Sequence, residues 1–170
     1  MDESAVRSDH HRGTPWAPVG ETPVVEDSGE RFGTRLISAV SPRGDLRFQI
    51  IEGRMNSDTF IAFLKKLRSD ANKPLIVIAD NASYHRSRKV MKFAKDSGEE
   101  ITLEHLPTYA PELNPDEQVW NHAKARLGKL FIESKESMKR NVLNILRSIQ
   151  KSVQLVQSFF QLDTTRYIIN

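Results

Sequence analysis

The 170-residue chain contains no cysteine, which removes disulfides, thiolate metal sites and cysteine nucleophiles together and fits a reducing compartment. No apolar run approaches the roughly 18 residues of a membrane span. The opening Met1-Asp2-Glu3-Ser4 has neither the basic start nor the apolar stretch of a secretory signal. These absences predict a cytoplasmic protein with no membrane partner. Internal repeats and low-complexity tracts are also lacking. With 38% apolar and 28% charged residues, the chain has enough core formers to fold, and its length suits one domain over residues 1–170 rather than a tandem enzyme.

What is present is an uneven charge. Lys and Arg total 25 against 22 Asp and Glu, but residues 121–151 alone hold eight basic side chains, among them Lys124, Arg126 and Lys129, against only Glu133 and Glu136. A second cluster, Arg86, Arg88, Lys89, Lys92 and Lys95, is free of acid. Both can contact phosphates by releasing counterions. On charge alone the plainer reading is the solvated face of an amphipathic helix.

Along the chain, residues 1–31 read as mostly loop, with at most a short strand at 22–25. Strands are predicted at 35–40 and 46–51, joined by a Pro42 and Gly44 turn. Asn56 caps a helix carrying Phe60, Ile61, Phe63, Leu64 and Leu67. The unbroken run Leu75-Ile76-Val77-Ile78-Ala79 reads as a strand buried on both faces. A helix over 87–96 and a strand over 101–106 follow. Pro107, Pro111 and Pro115 then stiffen a loop, and Asn114-Pro115-Asp116-Glu117 opens a helix with Val119, Trp120, Ala123 and Leu127 inward. One long helix over 135–158 should bury Met138, Val142, Ile145, Leu146, Ile149 and Val153, within a C-terminal helical region spanning 134–170. This order predicts an α/β layer fold with a mixed sheet, where sites form at the C-terminal ends of central strands.

Three acids stand out by position: Asp2 before the loop, Asp80 ending the buried strand, and Glu117 opening a helix after the proline loop. Brought together, such carboxylates repel unless a divalent cation neutralises them, and oxygen-only ligands suit Mg²⁺ or Mn²⁺. Each also has an ordinary structural explanation, Glu117 and Asp80 as cap or turn residues and Asp2 as a frayed end. His10, His11, His85, His105 and His122 show no metal-ligand spacing and are expected at ordinary surface positions.

Two strings are more specific. Leu75-Ile76-Val77-Ile78-Ala79-Asp80-Asn81-Ala82-Ser83-Tyr84-His85, then Leu106-Pro107-Thr108-Tyr109-Ala110-Pro111-Glu112-Leu113-Asn114-Pro115-Asp116-Glu117-Gln118-Val119-Trp120, closely resemble the catalytic core of DDE transposases, in the bacterial insertion-sequence branch of the mariner-like superfamily. The 36 residues between Asp80 and Glu117 are similar to that branch's spacing of second and third acids. Asp2-Glu3-Ser4, His10-His11-Arg12-Gly13, Trp16-Ala17-Pro18 and Gly20-Glu21-Thr22-Pro23 resemble the stretch after its first acid.

The resemblance, which runs from Asp2 to about Gln150, implies a ribonuclease H-like fold and a triad of Asp2, Asp80 and Glu117 that is both catalytic and metal-binding, holding two Mg²⁺ or Mn²⁺ ions. It implies metal-dependent DNA strand cleavage and strand transfer, with double-stranded transposon-end and target DNA as partners. It also implies a functional homodimer in a bacterial, nucleoid-associated setting. Arg86, Arg88, Lys89, Lys124, Arg126 and Lys129 become expected DNA contacts. Asp116 replaces an apolar residue usual in the family. The family's N-terminal helix-turn-helix and the core strand leading into the first acid are expected to be absent, leaving Asp2 without a sheet; an upstream-encoded half is an implied partner. A catalytically inactive remnant that at most binds DNA is the alternative. A tyrosine recombinase, from His85, Arg88 and Tyr109, is a weaker one.

Overall fold

The computed structural model describes residues 1–8, 18–21 and 31–169. The hairpin forms as expected. Strands β2 (Gly33–Val40) and β3 (Leu46–Ile51) pair antiparallel with Val40 opposite Leu46, and Gly44 takes a φ of +94° in the turn. An added Cβ there would lie 2.5 Å from a Val153 methyl, so the turn is also packed too closely for a side chain.

A strand stands where loop was expected. Residues Asp2–Arg7 form β1, antiparallel to β2 with Asp2 opposite Ser38, so Asp2 does have a sheet to fix it. Its sequence hid this because the inward positions are Asp2, Ser4 and Val6: the period of two is present, but two of the three inward side chains are polar. The short strand expected at 22–25 lies outside the described residues.

Helix α1 (Ser57–Ala71) starts on the Asn56 side chain, which accepts from the Asp58 and Thr59 amides, and ends at Asn72 in the left-handed conformation, φ 48°. It leads to β4 (Leu75–Ala79), α2 (Arg88–Asp96) and β5 (Ile101–His105), with β4 and β5 parallel. Sheet order is β1-β2-β3 in one sheet and β4-β5 in another. The double burial expected of β4 is not observed: Ile76 is 75% exposed, and only Val77 and Ala79 are buried. Among the described residues no strand lies along the edge of β4 away from β5.

Helix α3 (Asp116–Leu127) follows the proline loop, starting one residue later than expected; Asn114 Oδ1 still accepts from the Asp116 amide at 3.2 Å. The predicted last helix is two. Ser152, at φ −100° and ψ 82°, separates α4 (Lys135–Lys151) from α5 (Val153–Ser158). The break turns Val153 outward, to 50% exposure, and lets Val156, Phe159 and Phe160 enter the core.

Two apolar clusters result, one on each face of the β1-β2-β3 sheet. Leu36 and Leu46 pack with Trp120, Leu146 and other residues of α3 to α5. Ile37 and Ile51, on the opposite face, pack with α1 and β4. The alternation of Leu36 and Ile37 thus makes β2 a doubly covered strand. It also carries α3, and with it Glu117, to the end of the sheet at which Asp2 sits. No described helix is long and apolar enough to cross a membrane.

Candidate active site

Asp2 is 7% exposed at the start of β1. Burial, then the charges of Asp116 and Glu117, push its carboxyl up to about 7, with Glu3 adding to the shift and the Met1 amine opposing it. The first turn of α3 supplies those two acids. Asp116 is fully buried, its Oδ1 accepting from the buried Ser38 hydroxyl at 2.6 Å. Its Oδ2 lies 3.0 Å from the Met1 amine, an ion contact without hydrogen-bond alignment. Glu117 is half-buried beside it.

Asp80 leaves the end of β4 and is 46% exposed. Its carboxylate accepts from His85 Nδ1 at 2.6 Å and from the Ala82 amide at 3.0 Å. The His85 hydrogen bond is the main reason it ionises below the ordinary range, burial working the other way. Neighbouring Asn81 turns into the fold, its amide donating to the Leu106 carbonyl.

His85 corrects the surface placement expected of the histidines. Its ring is 0% exposed, packed 4.1 Å from the Phe60 ring centroid, with Nε2 2.8 Å from Glu3 Oε1. Burial alone would lower its pKa; the hydrogen bonds to Asp80 and Glu3 outweigh that and push it up to about 9. The ring is therefore an imidazolium at neutral pH, donating from both nitrogens. Tyr84, whose pKa is raised by burial and by Glu3, donates to the second Glu3 oxygen at 2.9 Å.

Among the described residues, Glu3, Asp80 and His85, not the expected trio, have ligand atoms all within 4.8 Å of one another. A divalent cation there would have to displace the proton shared between the ring and the carboxylates. The cluster is a carboxylate–imidazolium–carboxylate bridge. At Asp2, burial and then the charges of Asp116 and Glu117 disfavour the ionised carboxyl, a condition that an oxygen-liganded divalent cation relieves. Asp2 and Glu117 meet electrostatically, while the Asp80 carboxylate is turned toward His85.

Sequence reasoning passed over Glu3 and His85. The available signals were their adjacency, Glu3 beside Asp2 and His85 five residues after Asp80. Of the expected DNA contacts, Arg86, Arg88, Lys89, Arg126 and Lys129 are exposed and Lys124 is half-buried. Lys89 is paired with Asp58, and Arg126 donates to the Ser148 hydroxyl at 3.2 Å. The recombinase reading gains nothing: His85 is engaged by two carboxylates, and Tyr109 is 97% exposed on the proline loop.

Residues 1–139 match the family described as DDE superfamily endonuclease. The chain belongs to this DDE family. No curated protein matches it. The Mos1 mariner paired end complex with Mn aligns at 17% identity and a TM-score of 0.74, covering 98% of this chain and 52% of that one. The Mos1 strand transfer complex aligns at 18% and 0.72, over 97% and 50%. The chain thus spans about half the length of these relatives. The catalytic domain of Mos1 mariner transposase aligns at 18% and 0.53, over 79% and 76%. The fold is the ribonuclease H-like α/β fold that the DDE resemblance implied.

Proposed function

We propose that the chain is the catalytic domain of a transposase that cleaves DNA strands and joins the freed ends to target DNA. Asp2, Asp80 and Glu117 are the acids that hold two Mg²⁺ or Mn²⁺ ions. The observation carrying this reading is the buried carboxyl of Asp2, driven up to about 7 beside Asp116 and Glu117 in a chain whose Asp80 to Glu117 segment has the family spacing. The donor set fits: all three offer oxygen, the ligand these hard cations prefer. When bound, such a pair of ions stabilises the attacking and leaving oxygens of an in-line displacement at phosphorus.

The chain's own residues do the rest. Strand β1 and helix α3, packed against each other, fix Asp2 and Glu117 at one end of the sheet. The imidazolium of His85 orients Asp80 and keeps it ionised. The exposed basic residues of α2 and α3 hold the DNA backbone and set its register, without reading sequence. In the first step water attacks a phosphodiester at the transposon end, breaking the P–O3′ bond and leaving a 3′-hydroxyl. In the second that hydroxyl attacks a target phosphodiester and displaces its 3′-oxygen. Transposon-end and target DNA are the partners; a homodimer completes the proposed assembly, in a bacterial, nucleoid-associated setting.

A second reading, a DNA-binding protein without catalysis, is favoured by one observation: Oδ1 of Asp80 is committed to His85 and Ala82. Mg²⁺-dependent nicking of end-labelled transposon-end duplex separates the two. The first reading expects nicking that is lost in Asp80→Ala and in Glu117→Ala while duplex binding persists. Equal nicking by the variants and parent contradicts it, and DNA binding with no nicking by any of them supports the second.

A further inference from the structure

Strand β3 ends the β1-β2-β3 sheet on the side away from β1 and its Asp2, and its outer edge is open. Just before it, the Asp45 carbonyl accepts from the Ser41 amide across the hairpin, whereas the Leu46 carbonyl accepts from the Gln150 side-chain amide of α4 at 2.6 Å. By strand alternation the amides and carbonyls of Phe48 and Ile50 therefore point outward, as that of Leu46 does. Among the described residues no strand pairs with them. Edge strands are commonly guarded by charge, but the one charged residue of β3, Arg47, is paired with Asp70 of α1 at 3.4 Å.

This edge runs along a groove of about 450 Å³ between two helices. One wall is α1, with Phe63, Lys66 and Leu67; the other is α4, with Leu143 and Arg147. The strand contributes Arg47 to Ile50, about 13 Å at the rise of a strand. Each wall thus combines apolar surface with one cation. Lys66 and Arg147 are exposed, and among the described residues neither enters an ion pair.

We propose that this groove binds an extended acidic segment of another protein, which adds a strand to β3 and sets carboxylates against Lys66 and Arg147. The open amides and carbonyls of Phe48 and Ile50 ask for a backbone that donates and accepts at strand spacing. Side chains of an added strand alternate between the two walls, so each of its faces needs apolar groups to meet Phe63, Leu67 or Leu143 and an acid to meet Lys66 or Arg147. A groove walled by two helices admits a lone strand, whereas the edge of a second folded sheet would bring its own covering helices against α1 and α4. A phosphate backbone would satisfy the two cations but leave the strand edge and the apolar walls unmatched. The groove lies at the opposite edge of its sheet from Asp2, and the proposal does not depend on which ions the carboxylates hold or on strand cleavage.

The test is residue-resolved amide hydrogen exchange with the probe peptide acetyl-Glu-Glu-Val-Ile-Val-Glu-Glu-amide. One control carries Lys at every Glu; the other carries Pro at the three central positions and so cannot donate there along the strand. The acidic peptide at millimolar concentration should slow exchange of the Phe48 and Ile50 amides at least tenfold and leave Leu103 on β5 unchanged, and neither control should do so. Lys66→Glu together with Arg147→Glu, both at exposed positions, should move the protection from the acidic peptide to the Lys peptide while leaving the melting temperature of the free chain within a degree or two. No slowing by the acidic peptide overturns the proposal, as does equal slowing by either control or an unaltered response of the double variant. Equal protection of the same amides by a DNA duplex also overturns it, by showing a phosphate site. Protection that rises with protein concentration alone does so too, by showing that a second copy is the occupant.

Discussion

His85 donates from Nδ1 to Oδ1 of Asp80 at 2.6 Å, with the Phe60 ring tilted against the buried imidazole. The other ring nitrogen meets Glu3 at 2.8 Å. One side chain therefore ties the end of β4 to β1, the two strands that carry Asp80 and Asp2. Removing it leaves Glu3, 12% exposed, without its cation, which is the costly way to break a buried pair.

His85→Ala should lower stability by about 2–4 kcal/mol, the lower part of the range reflecting the half-exposed Asp80. Chemical denaturation with the wild-type chain as reference measures this. A loss below about 0.5 kcal/mol would show that the bridge is incidental.

Asp2→Asn should stabilise the cation-free chain at pH 8, because it removes a buried charge facing Asp116 and Glu117. The same change should remove the rise in melting temperature that millimolar Mg²⁺ gives the parent. Differential scanning calorimetry with and without Mg²⁺ reads both effects. A destabilised variant that still responds to Mg²⁺ would contradict the reading of Asp2 as a ligand.

The pH dependence follows from two raised pKa values. Asp2 moves from 3.8 up to about 7 and His85 from 6.5 up to about 9, so each favours folding in its protonated form. The Asp2 contribution is present below pH 3.8 and lost as pH rises through 7; the His85 contribution is present below 6.5 and lost through 9. The cation-free chain should therefore lose thermal stability from about pH 4 to pH 9, the Asp2 part by pH 7 and the His85 part between 6.5 and 9. A melting temperature flat between pH 4 and 7 would be inconsistent with the burial of Asp2, and one flat between 7 and 9 with the His85 hydrogen bonds.

Truncating Trp120, 1% exposed in the core beneath α3, should cost about 3–5 kcal/mol without altering DNA affinity of the folded fraction. Charge removal at Arg126 and Lys129 should do the reverse, weakening duplex binding uniformly across sequences and flattening its salt dependence by about one unit of slope for each phosphate left unneutralised. Fluorescence anisotropy over a salt series, alongside denaturation curves, distinguishes the two.

Most helices and the hairpin were legible because local signals agreed with the fold: Asn56 caps α1, and the apolar spacing of Phe60 to Leu67 matches its buried face. β1 was not legible because two of its three inward residues, Asp2 and Ser4, are polar. Double burial of β4 was expected from composition and not observed, since composition reports what a strand is suited to and not which neighbour is present. The division at Ser152 carried no proline or glycine to mark it. In the site, the Asp80 to Glu117 spacing was readable along the chain, but the engagement of His85 with Glu3 spans 82 positions and exists only once β1 is laid beside the end of β4.

The most direct test of the central claim is the anomalous scattering map of a crystal of this chain grown with Mn²⁺. A peak ligated by Asp2, Asp80 and Glu117, with the Asp80 carboxylate swung toward it, is the predicted result. A peak within the Glu3, Asp80 and His85 cluster, or none at saturating Mn²⁺, would contradict the account.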